Sequence, residues 1–288
     1  MSESVVVTLD GRVHDAGQPL LFADDLAAVR GDGVFETLLV RGGAACAVER
    51  HLARLAASAT ALDLPAPDLS EWRTVIATSV GLWAQGSQDE GVLRLVLSRG
   101  REGGGDPTAF VTVGPLSARV HAARANGVSV ITLDRGYSVN FSATAPWQLA
   151  GAKTLSYATN MAALRHAVDR GVDDVIYLSS EGRVLEGPRS TVVLARGKTL
   201  ITPSVEQGIL AGTTVDALFE VAEAAGWTCE HGHVFPADLI AADSVWLVSS
   251  VTLAARVTTM NGVVLGRPGN GDQVSEMVDR AVDVAATH

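Results

Sequence analysis

Apolar residues along this chain keep two different rhythms, alternation by twos and recurrence by threes and fours. Residues 5–9 (VVVTL) and 34–40 (VFETLLV) read as strands, the second closed by the Gly42-Gly43 turn. Leu52, Leu55, Ala59 and Leu62 recur at helical spacing. That predicts an amphipathic helix over 49–62, stopped by Leu64-Pro65-Ala66-Pro67. A second helix is predicted over 70–85. Strands follow over 92–98 and 109–113, joined by a glycine-rich loop over 100–106. Residues 115–126 carry no strong period and read as a connector.

Beyond the connector the strands become shorter and more frequent. A strand is predicted over 128–133. Tyr157, Met161, Leu164 and Val168 then mark a helix that ends at Gly171. Further strands are predicted over 175–178, 184–186, 191–195 and 199–201, with Ser180-Glu181-Gly182-Arg183 as a turn between the first two. Val215, Leu218, Phe219 and Ala222 define a helix over 215–225. Asn261-Gly262 between 257–260 and 263–265 is a two-residue hairpin signal. A last helix covers 273–284. The pattern predicts an α+β protein of two domains. The smaller spans 1–115, a connector spans 116–126, and the larger, strand-rich domain spans 127–288.

Composition narrows the function. Of the 288 residues 47% are hydrophobic and only 19% charged, so the chain can bury a large core and is not disordered. Lys and Arg number 22 against 32 Asp and Glu, a net charge of −10 with no basic run, which argues against nucleic acid or an anionic membrane as partner. No apolar stretch reaches the roughly 18–20 residues of a membrane helix. The first ten residues lack the pattern of a signal peptide. Cys46 and Cys229 read as free thiols, so a cytoplasmic location is expected. There is no Gly-x-Ser-x-Gly elbow, no phosphate loop and no Cys-x-x-Cys. His231-Gly232-His233 has the spacing of one strand face but no evident third ligand, so it reads as a surface pair and no metal is expected. Gly103-Gly104-Gly105 precedes no helix and reads as a flexible loop.

Two features have more chemical content. Gly212-Thr213-Thr214 immediately precedes a predicted helix, with Thr214 as its expected N-cap. The open amides of such a first turn attract phosphate or carboxylate. Lys153 is one of only two lysines, the other being Lys198 in a Gly-Lys turn. Its neighbours in Gly151-Ala152-Lys153-Thr154-Leu155-Ser156-Tyr157 are small or apolar. An amine partly desolvated in this way loses proton affinity and becomes suited to Schiff-base chemistry.

Five segments, taken in order, resemble the class IV aminotransferases, the fold-type IV pyridoxal-phosphate enzymes. They are Gly31-Asp32-Gly33-Val34-Phe35-Glu36-Thr37, Arg50-His51-Leu52-Ala53-Arg54-Leu55, Lys153-Thr154-Leu155-Ser156-Tyr157, Glu186-Gly187-Pro188-Arg189-Ser190-Thr191 and Gly208-Ile209-Leu210-Ala211-Gly212-Thr213-Thr214. The resemblance implies a small N-terminal α/β domain and a larger C-terminal pseudo-barrel domain that binds pyridoxal 5'-phosphate. It implies that Lys153 carries the cofactor and shuttles protons, and that Glu186 partners the pyridine nitrogen. Arg54, Thr213, Thr214 and Ser250 would hold the phosphate, and Tyr157 the ring hydroxyl or the phosphate. A homodimer acting on a small substrate with a carboxylate and an amine is implied as well.

The family includes 4-amino-4-deoxychorismate lyases, D-amino-acid aminotransferases and branched-chain aminotransferases, which share one scaffold. Thr37, the Leu97-Ser98-Arg99-Gly100 segment and the length favour the lyase, which would release 4-aminobenzoate and pyruvate. Tyr157 and Thr191 keep the two aminotransferases, or an enzyme with both activities, as alternatives. Thr37 would relay a proton or hold a water near the leaving oxygen. Arg94 and Arg99 are the candidates for substrate carboxylates, since a guanidinium pairs with them bidentately.

Overall fold

The computed structural model describes residues 4–87, 89–266, 269 and 271–284; the outermost residues of the two predicted domains, 1–3 and 285–288, lie outside the described residues. The chain forms two compact units. One comprises residues 4–117 with 152–157, the other Ala118–Gly151 with Ala158–Val284. The segment bearing Lys153 therefore belongs to the first unit although the chain on either side of it belongs to the second.

The first unit contains β1 (Val5–Thr8), β2 (Val13–His14), α1 (Leu26–Arg30), β3 (Gly33–Arg41), β4 (Ala44–Ala45), α2 (Val48–Ala61), α3 (Leu69–Gly86), β5 (Gly91–Ser98) and β6 (Thr108–Pro115). Its six strands form an antiparallel sheet in the order β2-β1-β6-β5-β3-β4. Alternation divides β3 between two faces, although Leu39, in phase with Phe35 and Thr37, is also wholly buried. Val34, Leu38 and Val40 are buried on the face that α2 and α3 cover, beside Leu93, Leu95, Val111 and Val113. Leu52, Leu55, Trp72, Val75 and Ile76 close that core from the helices. Phe35 and Thr37 lie on the other face and are only half-buried.

The starting edge of β3 is completed by the lysine segment. The Phe35 amide donates to the Lys153 carbonyl at 3.1 Å, and the Leu155 amide donates to the Gly33 carbonyl at 2.8 Å. This close approach explains Gly31-Asp32-Gly33. A Cβ on Gly33 would meet the Leu97 carbonyl oxygen at 2.6 Å and Leu155 Cδ1 at 2.7 Å, and one on Gly31 would meet Ser156 Oγ at 2.9 Å. Gly33→Ala is therefore expected to cost about 1–3 kcal/mol through overpacking, read as a lower thermal unfolding midpoint. Gly103→Ala, where an added Cβ meets nothing within 4 Å, is the control. Equal midpoints in the two variants would remove the argument.

The second unit contains α4 (Ala118–Asn126), β7 (Val128–Asp134), α5 (Phe141–Thr144), α6 (Ala158–Asp169), β8 (Asp174–Leu178), β9 (Thr191–Arg196), β10 (Thr199–Pro203), α7 (Thr213–Ala224), β11 (Thr228–Gly232), α8 (Pro236–Ala241), β12 (Ser244–Ser249), β13 (Leu253–Met260), β14 (Val263–Val264) and α9 (Gly271–Val284). Its sheet runs β11-β10-β9-β12-β13-β7-β8, with β14 paired to β13. The β10/β11, β13/β7 and β7/β8 pairs are parallel and the rest antiparallel. Val130, Ile176, Val192, Leu194, Val245, Leu247 and Val257 form its main core. The Asn261-Gly262 hairpin forms as expected, both residues having positive φ, 51° and 80°.

Several short elements had no counterpart in the sequence reading, among them α1, β11, α8 and β12, and two assigned segments differ from it. Residues 118–126, read as part of a connector, form α4. Only Val120 and Ala123 are buried there, too few apolar positions to show a period. Residues 184–186 form no strand. They meet β8 through one bridge, Leu178 with Val184, and through hydrogen bonds between Tyr177 and both Leu185 and Glu186. Among the described residues no helix is long and apolar enough to cross a membrane.

Candidate active site

Helix α2 presents three polar side chains on its inward face at helical spacing, His51, Arg54 and Ser58. Above them β3 turns Glu36 inward by alternation, into a wholly buried position. The three-way contact is close. Arg54 Nε donates to Glu36 Oε1 and Arg54 Nη2 to Oε2, both at 2.7 Å, and His51 Nδ1 lies 2.7 Å from Oε2. This is the bidentate geometry that makes arginine–carboxylate pairs strong. Burial alone raises the Glu36 carboxyl, but the Arg54 charge and the hydrogen bonds from Arg54 and His51 outweigh it and hold the group down at about 2. Burial pushes the His51 imidazole below its ordinary range, which keeps it neutral and able to donate from Nδ1.

Ser58 and the rings of unit 1 position Lys153. Its backbone amide donates to Ser58 Oγ at 3.1 Å. Its Nζ lies 4.4 Å from the centre of the Phe35 ring and 5.7 Å from that of Tyr157, and the two rings meet edge to face at 5.4 Å. The amine thus sits against two aromatic rings. Of the residues read from the sequence, Lys153 and Tyr157 come together here, and Arg54 lies one turn from Ser58 on α2. Thr37 lies across from Arg94 in the β3/β5 register, and Arg94 across from Thr112 on β6, so these three share the sheet face of Phe35. Arg94 is exposed.

Arg99 has a different environment from Arg94. Its guanidinium donates to Asp32 at 2.7 and 3.3 Å, to the Leu62 carbonyl at 2.6 Å and to the Asp63 carbonyl at 3.1 Å. Those contacts tie the end of α2 to the turn before β3. They make Arg99 a brace and leave Arg94 as the one of the two candidates on the Phe35 face.

The second unit assembles two further groups. Glu186 Oε1 accepts from Arg135 Nη1 at 2.5 Å and Oε2 from the Leu210 amide at 3.1 Å. At the start of α7 the N-cap is Gly212, with no side-chain cap, rather than Thr214; Thr213 and Thr214 are the first helical residues. A Cβ on residue 212 would meet Thr191 Oγ1 at 2.5 Å, so no capping side chain fits. Thr213 Oγ1 and Thr214 Oγ1 instead converge on Ser250 Oγ, at 3.5 and 3.3 Å. Three hydroxyls and the amides of a helical first turn make a donor set suited to a phosphate. The His231 ring meets Phe219 at 5.2 Å, His233 Nδ1 lies 3.0 Å from Arg183, and Cys46 is buried.

Among the residues of these groups that escaped the sequence reading as site residues are Glu36, His51 and Arg135. A polar residue on the buried phase of a strand, and a histidine on the apolar face of a helix, were available signals for the first two. Arg135 left none, because its partner is 51 positions away.

The chain belongs to the class IV aminotransferase family, whose model, amino-transferase class IV, matches residues 33–260. Over 285 residues it is 54% identical to the bifunctional aminodeoxychorismate lyase / D-amino acid transaminase of Mycobacterium tuberculosis, covering 96% of this chain and 99% of that protein. It is similar to a solved aminotransferase from Mycobacterium tuberculosis in its PLP-bound form, with a TM-score of 0.95 and 56% identity over 97% of this chain and 98% of that one. A form bound to alpha-ketoglutarate and PMP matches with a TM-score of 0.96 and 55% identity over 99% of this chain and 100% of that one.

Proposed function

We propose that this protein is a pyridoxal-phosphate enzyme with two activities, conversion of 4-amino-4-deoxychorismate to 4-aminobenzoate and pyruvate, and amino transfer from D-amino acids to a 2-keto acid. The observation that carries the reading is the placement of Lys153, its amine against the Phe35 and Tyr157 rings and its backbone hydrogen-bonded to β3 and Ser58. The 54% identity to a relative bearing both activities supports the same pair of reactions.

The donor chemistry fits the cofactor. A phosphate suits Thr213, Thr214, Ser250 and the α7 amides, and Arg54 adds a guanidinium whose plane Glu36 fixes. Glu186 would receive the pyridine N–H, and Tyr157 would donate its phenol to the ring hydroxyl or the phosphate. When bound, pyridoxal phosphate supplies an aldehyde that condenses with an amine and a ring that accepts an electron pair. Lys153 Nζ takes the proton from the substrate carbon that bears nitrogen. In the lyase reaction the enolpyruvyl C–O bond then breaks, the group leaves as the enolate of pyruvate and takes up a proton on carbon, and aromatisation makes the step irreversible. In amino transfer Lys153 returns the proton on the other side of the nitrogen. Arg94 pairs with a substrate carboxylate, and Thr37, its cross-strand neighbour, holds a proton or a water at the leaving oxygen. Arg99 is left out of this assignment because its guanidinium braces Asp32 and two carbonyls. A homodimer is part of the proposal.

Aminodeoxychorismate without any keto acid is expected to yield 4-aminobenzoate and pyruvate in equal amounts. D-Alanine with 2-oxoglutarate is expected to yield pyruvate and glutamate, and L-leucine far less product. Absence of 4-aminobenzoate would sink the lyase half, and faster transfer from L-leucine than from D-alanine would sink the other.

A further inference from the structure

Glu186 is gripped inside the second unit by two donors, one on each carboxylate oxygen. Arg135 Nη1 holds Oε1 at 2.5 Å and the Leu210 amide holds Oε2 at 3.1 Å. Arg135 is itself anchored twice. Its amide donates to the Leu178 carbonyl at 2.9 Å, and its guanidinium carbon lies 5.3 Å from the centre of the Tyr177 ring. Tyr177 is fixed in turn. Its amide donates to the Glu186 carbonyl at 2.8 Å, and its hydroxyl donates to Asn160 Oδ1 at 3.1 Å. One rung of backbone pairing thus carries both the carboxylate and the ring on which its arginine stacks.

The last torsion of a glutamate side chain is broad and does not set the carboxylate plane by itself. Two donors on different oxygens do set it. They also leave acceptor capacity, because an ionised carboxylate offers about four lone-pair positions and two are used here. We propose that Arg135 is a positioning residue for the cofactor: with the Leu210 amide it fixes the plane of Glu186 in which the pyridine N–H is received. The inference rests on the assignment of Glu186 given above. It assigns Arg135 no contact with substrate.

The test compares Arg135→Gln, Arg135→Lys and Glu186→Gln with the unaltered protein. Readouts are the dissociation constant for pyridoxal phosphate from absorbance titration, the absorbance maximum of the bound cofactor, and kcat and KM for both reactions. Arg135→Gln is expected to raise the dissociation constant about tenfold or more, the effect of losing a hydrogen bond to a charged group. The absorbance maximum moves and kcat falls for both reactions, while substrate KM stays within about twofold. Arg135→Lys, which keeps a charged donor, recovers part of the loss. Wild-type affinity and absorbance in Arg135→Gln, with both altered in Glu186→Gln, would overturn the role of Arg135. Wild-type values in Glu186→Gln would overturn the reading of Glu186 and this inference with it. If Arg135→Gln does not fold, Arg135→Met, apolar and of similar length, carries the same comparison.

Discussion

Lys153→Ala is expected to abolish both reactions while leaving the fold nearly intact. The loss of the base alone accounts for about 10²–10⁴-fold in rate, and the amine that takes the cofactor aldehyde goes with it. The visible absorbance that arises when pyridoxal phosphate is added to the purified protein is expected to disappear. Folding is expected to change little, because the cation–π contact of Nζ with the Phe35 ring is worth about 0.5–1 kcal/mol. Its backbone contributes two hydrogen bonds, the amide to Ser58 Oγ and the carbonyl to the Phe35 amide, and alanine keeps both. Loss of activity with an unchanged unfolding midpoint therefore separates the chemical role from a structural one. An unchanged cofactor spectrum in the variant would overturn the assignment of Lys153 and the reading built on it.

Glu36→Ala is expected to have the largest effect on stability. The carboxylate is wholly buried and satisfies the Arg54 guanidinium through two 2.7 Å hydrogen bonds while also meeting His51 Nδ1. Its removal leaves a largely buried positive charge, 12% exposed, without that counter-charge, which costs up to about 3–5 kcal/mol. For a protein of this size that is a fall of roughly 6–20 °C in the unfolding midpoint. Glu36→Gln keeps an acceptor oxygen for Arg54, and neutral His51 can accept from the new amide by exchanging its ring proton, so a smaller fall is expected. The order alanine worse than glutamine follows from the hydrogen bonds alone. Equal midpoints for Glu36→Ala and the unaltered protein would show that the triad contributes nothing to folding.

The local architecture was legible because it is written at short range. The apolar positions of α2 and α3 recur by threes and fours, and the predicted bounds lie within a residue or two of the observed helices. Strands β3, β5 and β6 show up as apolar runs bounded by glycine or polar turns. The β13/β14 hairpin follows from Asn261-Gly262, which both adopt positive φ. Where two apolar residues had to signal a nine-residue helix, as in α4, periodicity gave out. The capping of α7 was misplaced for a related reason. Thr214 has the chemistry of a cap, but the chain turns helical at Thr213, and the crowding of residue 212 by Thr191 is a contact between distant segments.

The candidate site divides along the same line. The residue types and their order put forward Lys153, Arg54, Glu186 and the Gly212-Thr213-Thr214 turn as candidates, because each sits in a short segment with its own chemical character. What those side chains touch was settled by strand register and helix packing. Alternation turns Glu36 onto the face under α2, where it takes up Arg54 and His51. The two candidate arginines for substrate, five positions apart, part company in the same way, Arg94 on the Phe35 face of the sheet and Arg99 bound to Asp32 and the end of α2. By itself, then, the sequence determined most of the longer elements and the family and put forward the candidate groups, through periodicity and local composition. Only the tertiary structure decided the partners of those groups. A hydrogen bond between side chains 18 or 51 residues apart depends on where the backbone carries each of them, and no local pattern holds that information.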